Sequence, residues 1–99
     1  MRITFHITRR QAGRLYHALP RTQPVMRAAL SFSIIEYLGQ YIPVTWDTSW
    51  FPELRALTAG STDPDLANLA KKFAAAERLA SDLPDDGKVR IIRVPVSPA

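Results

Sequence analysis

The chain has 99 residues, 46% of them apolar, with 13 basic and nine acidic side chains for a net charge of +4, and no cysteine. That length holds one hydrophobic core and one domain, 1–99, and excludes two ordinary domains. Without cysteine there are no disulfides, thiolate metal sites or thiol nucleophiles, which fits a reducing compartment, so a cytoplasmic location is expected.

Residues 2–8, RITFHIT, alternate polar and apolar side chains and predict a half-buried strand. Thr8 and Gln11 have capping-box spacing, so a first helix is expected directly afterwards, over about residues 9–19, until Pro20 stops it. After the turn PRTQP, Thr22 is the expected cap of a second helix over about 23–40. Apolar residues wrap most of that helix, more than a surface helix needs. It is therefore expected either at the centre of the core or against another subunit.

Gly39 and Pro43 end the second helix, and VTWDTSWFP follows as irregular or short extended chain. Pro52 opens a short helix, PELRALTA, which Gly60 closes. Thr62 is the expected cap of a last helix over about 63–82, with Leu66, Leu69, Phe73, Ala76, Ala80 and Leu83 as its apolar stripe. Pro84 and DDG turn the chain into KVRIIRVPV, a closing strand whose end Pro95 demotes to a sheet edge, and SPA is expected to fray. The resulting order is β-α-α-α-α-β, an α+β domain, mostly helical, in which residues 2–40 form a strand-helix-helix unit and 44–96 a helical extension with a closing strand. The terminal strands pair either with each other in a small sheet or with their copies in a dimer ribbon.

No signal peptide is expected, because the start alternates instead of forming an apolar run. No membrane span is expected either: VMRAALSFSIIEYLGQYI is broken by Arg27, two serines and Glu36, short of the roughly 20 clean apolar residues needed. Charge is unevenly laid out. Six arginines and no acid lie between Met1 and Leu30, whereas all nine acids lie between Glu36 and Asp86. Such asymmetry points to a basic surface for nucleic acid or for an acidic protein.

Catalytic chemistry finds little support. His6 and His17 have no metal-ligand spacing, Asp85 and Asp86 beside Gly87 are turn chemistry, and four scattered glycines build no phosphate loop. A non-enzymatic protein without metal or cofactor is expected. WDTSWF stands out for its three large rings, Trp46, Trp50 and Phe51, which read either as core or as an interface anchor.

The strand, the capped helix and the longer apolar helix of residues 2–40 together resemble the ribbon-helix-helix family of DNA-binding proteins. That resemblance implies a homodimer in which the N-terminal strands pair into a ribbon lying in the major groove. On this sequence it implies that Arg2, Thr4 and His6 face bases and Thr22 meets phosphate, with Arg9, Arg10, Arg21 and Arg27 in electrostatic support. The turn PRTQP lacks the glycine and serine pattern common between the two helices of that family, and everything after residue 40 lies outside the match.

The expected function is a DNA-binding transcription regulator, with a small protein-binding inhibitor or adaptor of phage or mobile-element type as the alternative. The alternative acts on an acidic protein surface through the basic face or through Trp46, Trp50 and Phe51.

Overall fold

The structure, a computed structural model, describes residues 1–94. Its order is β1 (Arg2–Thr8), α1 (Arg9–Ala18), α2 (Pro24–Glu36), β2 (Tyr41–Asp47), a 3-10 turn at Thr48–Trp50, α3 (Phe51–Thr58), α4 (Pro64–Ser81) and β3 (Arg90–Ile91). The class is the expected α+β, mostly helical, with strands near both ends. A third strand lies between them.

Alternation in β1 sends Ile3, Phe5 and Ile7 into the core, each fully buried, and leaves Arg2 and His6 exposed. β1 is the middle strand of the order β2-β1-β3. β2 runs antiparallel to it, with Ile3 opposite Trp46 and Ile7 opposite Ile42; β3 runs parallel, with Thr4 beside Ile91. The Ile92 amide donates to the Thr4 carbonyl at 2.9 Å, extending that pairing by one bond. Both edges of β1 are thus paired within one chain. A two-chain ribbon of the kind the family resemblance implies would have to displace β2, or the short β3 pairing at Ile3 and Thr4, because the backbone groups there already have partners.

β2 decides between the irregular and the short extended chain expected after Gly39 in favour of the extended one, and begins earlier, at Tyr41. Ile42, Val44 and Trp46 are buried, while Tyr41, Pro43, Thr45 and Asp47 turn the other way, a clean period of two. Pro43 fits because β2 is an edge strand, where a residue without an amide proton leaves no ladder bond unmade.

Thr8 caps α1 as expected: its hydroxyl accepts from the Gln11 amide at 3.0 Å, and the Gln11 side chain accepts from the Thr8 amide at 3.0 Å. α2 is shorter than expected, ending at Glu36. Its preceding residue is Gln23, not Thr22, and no side chain caps it. Asp63 replaces Thr62 as the cap of α4, accepting from the Asp65 amide at 2.9 Å. Gly60 closes α3 with φ of 75°, the left-handed value expected there. The closing strand is confined to Arg90–Ile91, and the expectations for Pro95 and SPA lie outside the described residues.

The helices pack on one face of the sheet. Leu69, Phe73, Ala76 and Ala80 of α4 join Phe51 and Leu54 of α3, Ala12 and Leu15 of α1, and the inward residues of β1 and β2 in one cluster. The strand-helix-helix unit and the described residues that follow it, 44–94, therefore share a single core. Its centre is aromatic: the Phe5 ring lies 5.9 Å from Trp46 and 6.2 Å from Phe73, both edge-on. Each such buried ring contributes about 2–3 kcal/mol of transfer free energy.

Candidate functional site

α1, α3 and α4 pack on the inner face, and α2 with Tyr37 borders only one end of the outer face, so the rest of that face is left open. It carries Arg2, Thr4 and His6 from β1, and Tyr41, Pro43, Thr45 and Asp47 from β2. Ile91 of β3 is 77% exposed beside Thr4, and exposed Arg93 follows it. At the centre the Thr4 and Thr45 hydroxyls are 2.7 Å apart and hydrogen-bonded across the strands. His6, Tyr41, Ile91 and Arg93 rim a cavity of about 330 Å³ at one end of this face. At the other end Phe32 and Tyr37, on and just after α2, border Arg2, Thr4 and Pro43.

Electrostatics of the face are mildly positive. Arg2 stands opposite Asp47 in register. The Asp47 carboxylate accepts from the Ser49 amide at 2.9 Å, and this bond, helped by the chain amino terminus and Arg2, holds its pKa below the usual carboxylate value. Asp47 therefore stays charged and offsets part of Arg2. Neither Arg2 nor Arg93 forms an ion pair within 4.0 Å among the described residues.

The remaining arginines of the basic stretch do not join this face. Arg9 donates to the carbonyls of Ile34, Tyr37 and Gly39, closing the end of α2. Arg10 pairs with Asp65 at 2.9 Å, and Arg14 lies 3.6 Å from Asp63. Arg27 donates to the Leu19 carbonyl at 2.9 Å and sits over the Tyr16 ring at 4.6 Å, fastening α1 to α2. Arg21 and Thr22 are exposed on the turn between the helices. Of the eight residues expected at nucleic acid, the fold thus gathers Arg2, Thr4 and His6 and disperses Arg9, Arg10, Arg21, Thr22 and Arg27. The dispersal has a plain cause: acids from the first turn of α4 and orphan carbonyls at helix ends claim the guanidinium groups.

The aromatic loop also resolves. Trp46 is 2% exposed and Phe51 fully buried, so the partner-anchor expectation is corrected for both; Trp50 packs against the same core, partly buried. Rings of that size at the sheet–helix boundary gain more from burial than from solvent.

Sequence reasoning missed Lys72. It is 5% exposed, and its ammonium donates to Gln11 Oε1 at 3.1 Å and to the His6 carbonyl at 3.4 Å, with no carboxylate within 4.0 Å among the described residues. Burial pushes its pKa below 10.5. Its place on the α4 stripe, one residue before Phe73, was the available signal. A cavity of about 670 Å³ is lined by Thr8, Arg9, Arg10, Leu38 and Asp65, and its two arginines are those already engaged. Among the described residues no group of His, Asp and Glu is gathered to hold a metal ion, and no helix is long and apolar enough to cross a membrane. No protein-family model, curated protein or solved structure matches this chain.

Proposed function

We propose that the protein is a non-enzymatic DNA-binding regulator that uses the open face of its sheet, with Arg2, Thr4 and His6 joined by Arg93. The observation that carries this reading is the character of that face. Arg2, His6 and Arg93 are exposed on it, the two guanidinium groups lie outside any ion pair among the described residues, and the half-buried Thr4 and Thr45 hydroxyls sit with the imidazole between them. Such groups meet phosphate and base edges, and β-sheet faces serve as DNA-reading surfaces. With about two or three phosphates neutralised, binding falls with salt at a log–log slope of about −2 to −3.

A mobility-shift assay with genomic fragments tests this. Retention at low salt is expected, lost in Arg2→Ala and Arg93→Ala and retained in Arg10→Ala, whose guanidinium is tied to Asp65. Absence of retention by the unaltered protein at low salt ends the reading.

The alternative, a protein-binding inhibitor or adaptor, loses its aromatic loop to the core. One observation favours it: Val25, Phe32, Ile35 and Leu38 are 65%, 65%, 74% and 91% exposed, on and just after α2. Apolar side chains this exposed and this close together mark a protein contact more often than a nucleic-acid one.

A further inference from the structure

α2 has two apolar faces. Met26 and Leu30 turn into the core with Ser33 beside them, whereas Val25, Phe32 and Ile35 are exposed, together with Ala28. Positions 25, 28, 32 and 35 follow the three-four-three spacing of a helix-packing seam. At 100° per residue they form a stripe about 80° wide on the side opposite Met26 and Leu30. None of the stripe positions is charged, Arg27 being turned away to the Leu19 carbonyl and the Tyr16 ring, and Arg2 borders the stripe only at Phe32.

We propose that a second copy of the chain covers this stripe, with the two α2 helices antiparallel about a two-fold axis. The stripe is self-complementary under that operation. An axis passing near residue 30 sets Val25 against the partner's Ile35 and Ala28 against the partner's Phe32, so the largest ring meets the smallest side chain, and each contact occurs twice.

The charges agree. α2 has no acid in its first turn and no side-chain cap, which leaves the positive end of its dipole uncompensated. Antiparallel pairing brings the partner's Glu36 to that end, beside Arg21, and opposes the two helix dipoles.

The area agrees as well. Val25, Phe32, Ile35 and Leu38, at their observed exposures, offer about 500 Å² of apolar surface, the upper part of what a monomer leaves open. If Leu38, just past the stripe, is covered as well, full contact between two copies buries about 1,000 Å², the lower limit for a specific interface. The dimer stands whether or not the sheet face takes DNA.

Sedimentation velocity on the full chain tests the proposal. At tens of micromolar the expected species has twice the 11.1 kDa mass of one chain. Phe32→Glu and Ile35→Glu should each sediment as monomers with unchanged circular dichroism, since neither side chain supports the core, and with a melting temperature that no longer rises with protein concentration. Ala28→Phe and Phe32→Ala should each weaken association about tenfold, and the double variant Ala28→Phe/Phe32→Ala should recover most of it, because the large and small partners have exchanged places. A wild-type monomer at all these concentrations overturns the proposal, even if another protein is found on α2. A dimer that survives Phe32→Glu overturns it too, as does a double variant no tighter than its parents.

Discussion

Arg9 offers the sharpest separation between a residue that contacts a ligand and one that holds the fold. Its guanidinium donates from Nε to Gly39 at 3.2 Å, from Nη1 to Ile34 at 3.1 Å and from Nη2 to Tyr37, all carbonyls at or just past the end of α2. Those carbonyls have no helical partner, so Arg9 is the C-terminal cap of α2, supplied by the first residue of α1. Its own amide donates to the Gln40 carbonyl at 2.8 Å, which ties the same corner where the chain enters β2. Charge-assisted bonds contribute about 1.5–3 kcal/mol each when buried, and less here, where two of the three are exposed. Arg9→Ala should therefore cost about 2 kcal/mol, including about 0.5 kcal/mol from the lost charge at the helix terminus. For a domain of this size that lowers the melting temperature by about 10 °C. Arg9→Lys keeps the charge without the planar fork and should recover less than half. Urea denaturation gives the free energy, and hydrogen exchange at residues 37–42 should show local opening before the rest of the domain. A loss below about 0.5 kcal/mol in Arg9→Ala would refute the capping argument.

Two further substitutions read the interior. Lys72→Met should be stabilising at neutral pH by about 1 kcal/mol, because it removes a desolvated charge while Gln11 Oε1 keeps its bond to the Thr8 amide. The folded-state pKa of Lys72 is depressed, so between that value and 10.5 the unfolded chain binds more protons and the wild type gains stability as pH rises; denaturation from pH 7 to 10 should show the advantage of Lys72→Met shrinking, and an advantage that does not change with pH would count against a desolvated ammonium. Trp46→Ala should cost about 3–5 kcal/mol, and in Trp50→Phe the remaining Trp46 fluorescence should be blue-shifted and resist quenching by iodide, an outcome that an exposed anchor would reverse.

Local signals carried well wherever a residue's neighbours in sequence are also its neighbours in space. RITFHIT, the Thr8–Gln11 box, the α4 stripe and the Gly60 cap all work over one or two turns of chain, and each is found in place. IPVTW alternates as clearly as RITFHIT, but Gly39 and Pro43 are helix-stop and strand-breaking residues, so the local signal does not show where the strand begins or how long it is. The charge map was legible only as a total. Six arginines in thirty residues suggest a continuous basic surface, yet Asp63 and Asp65 reach Arg14 and Arg10 from half a chain away.

The sequence by itself determined which residues form strands and helices at the chain's start and in its long last helix, and that the chain is a single α+β domain, because hydrophobic periodicity and capping are short-range physics. Only the tertiary structure decided what those elements face. It paired β1 on both sides within one chain, drew Trp46 and Phe51 into the core, assigned Arg9 and Arg27 to helix ends, and left Phe32 and Ile35 outside. Burial depends on how elements dock across many residues, and an apolar or basic side chain carries the same letter whether its partner is its own core, a distant acid or another molecule.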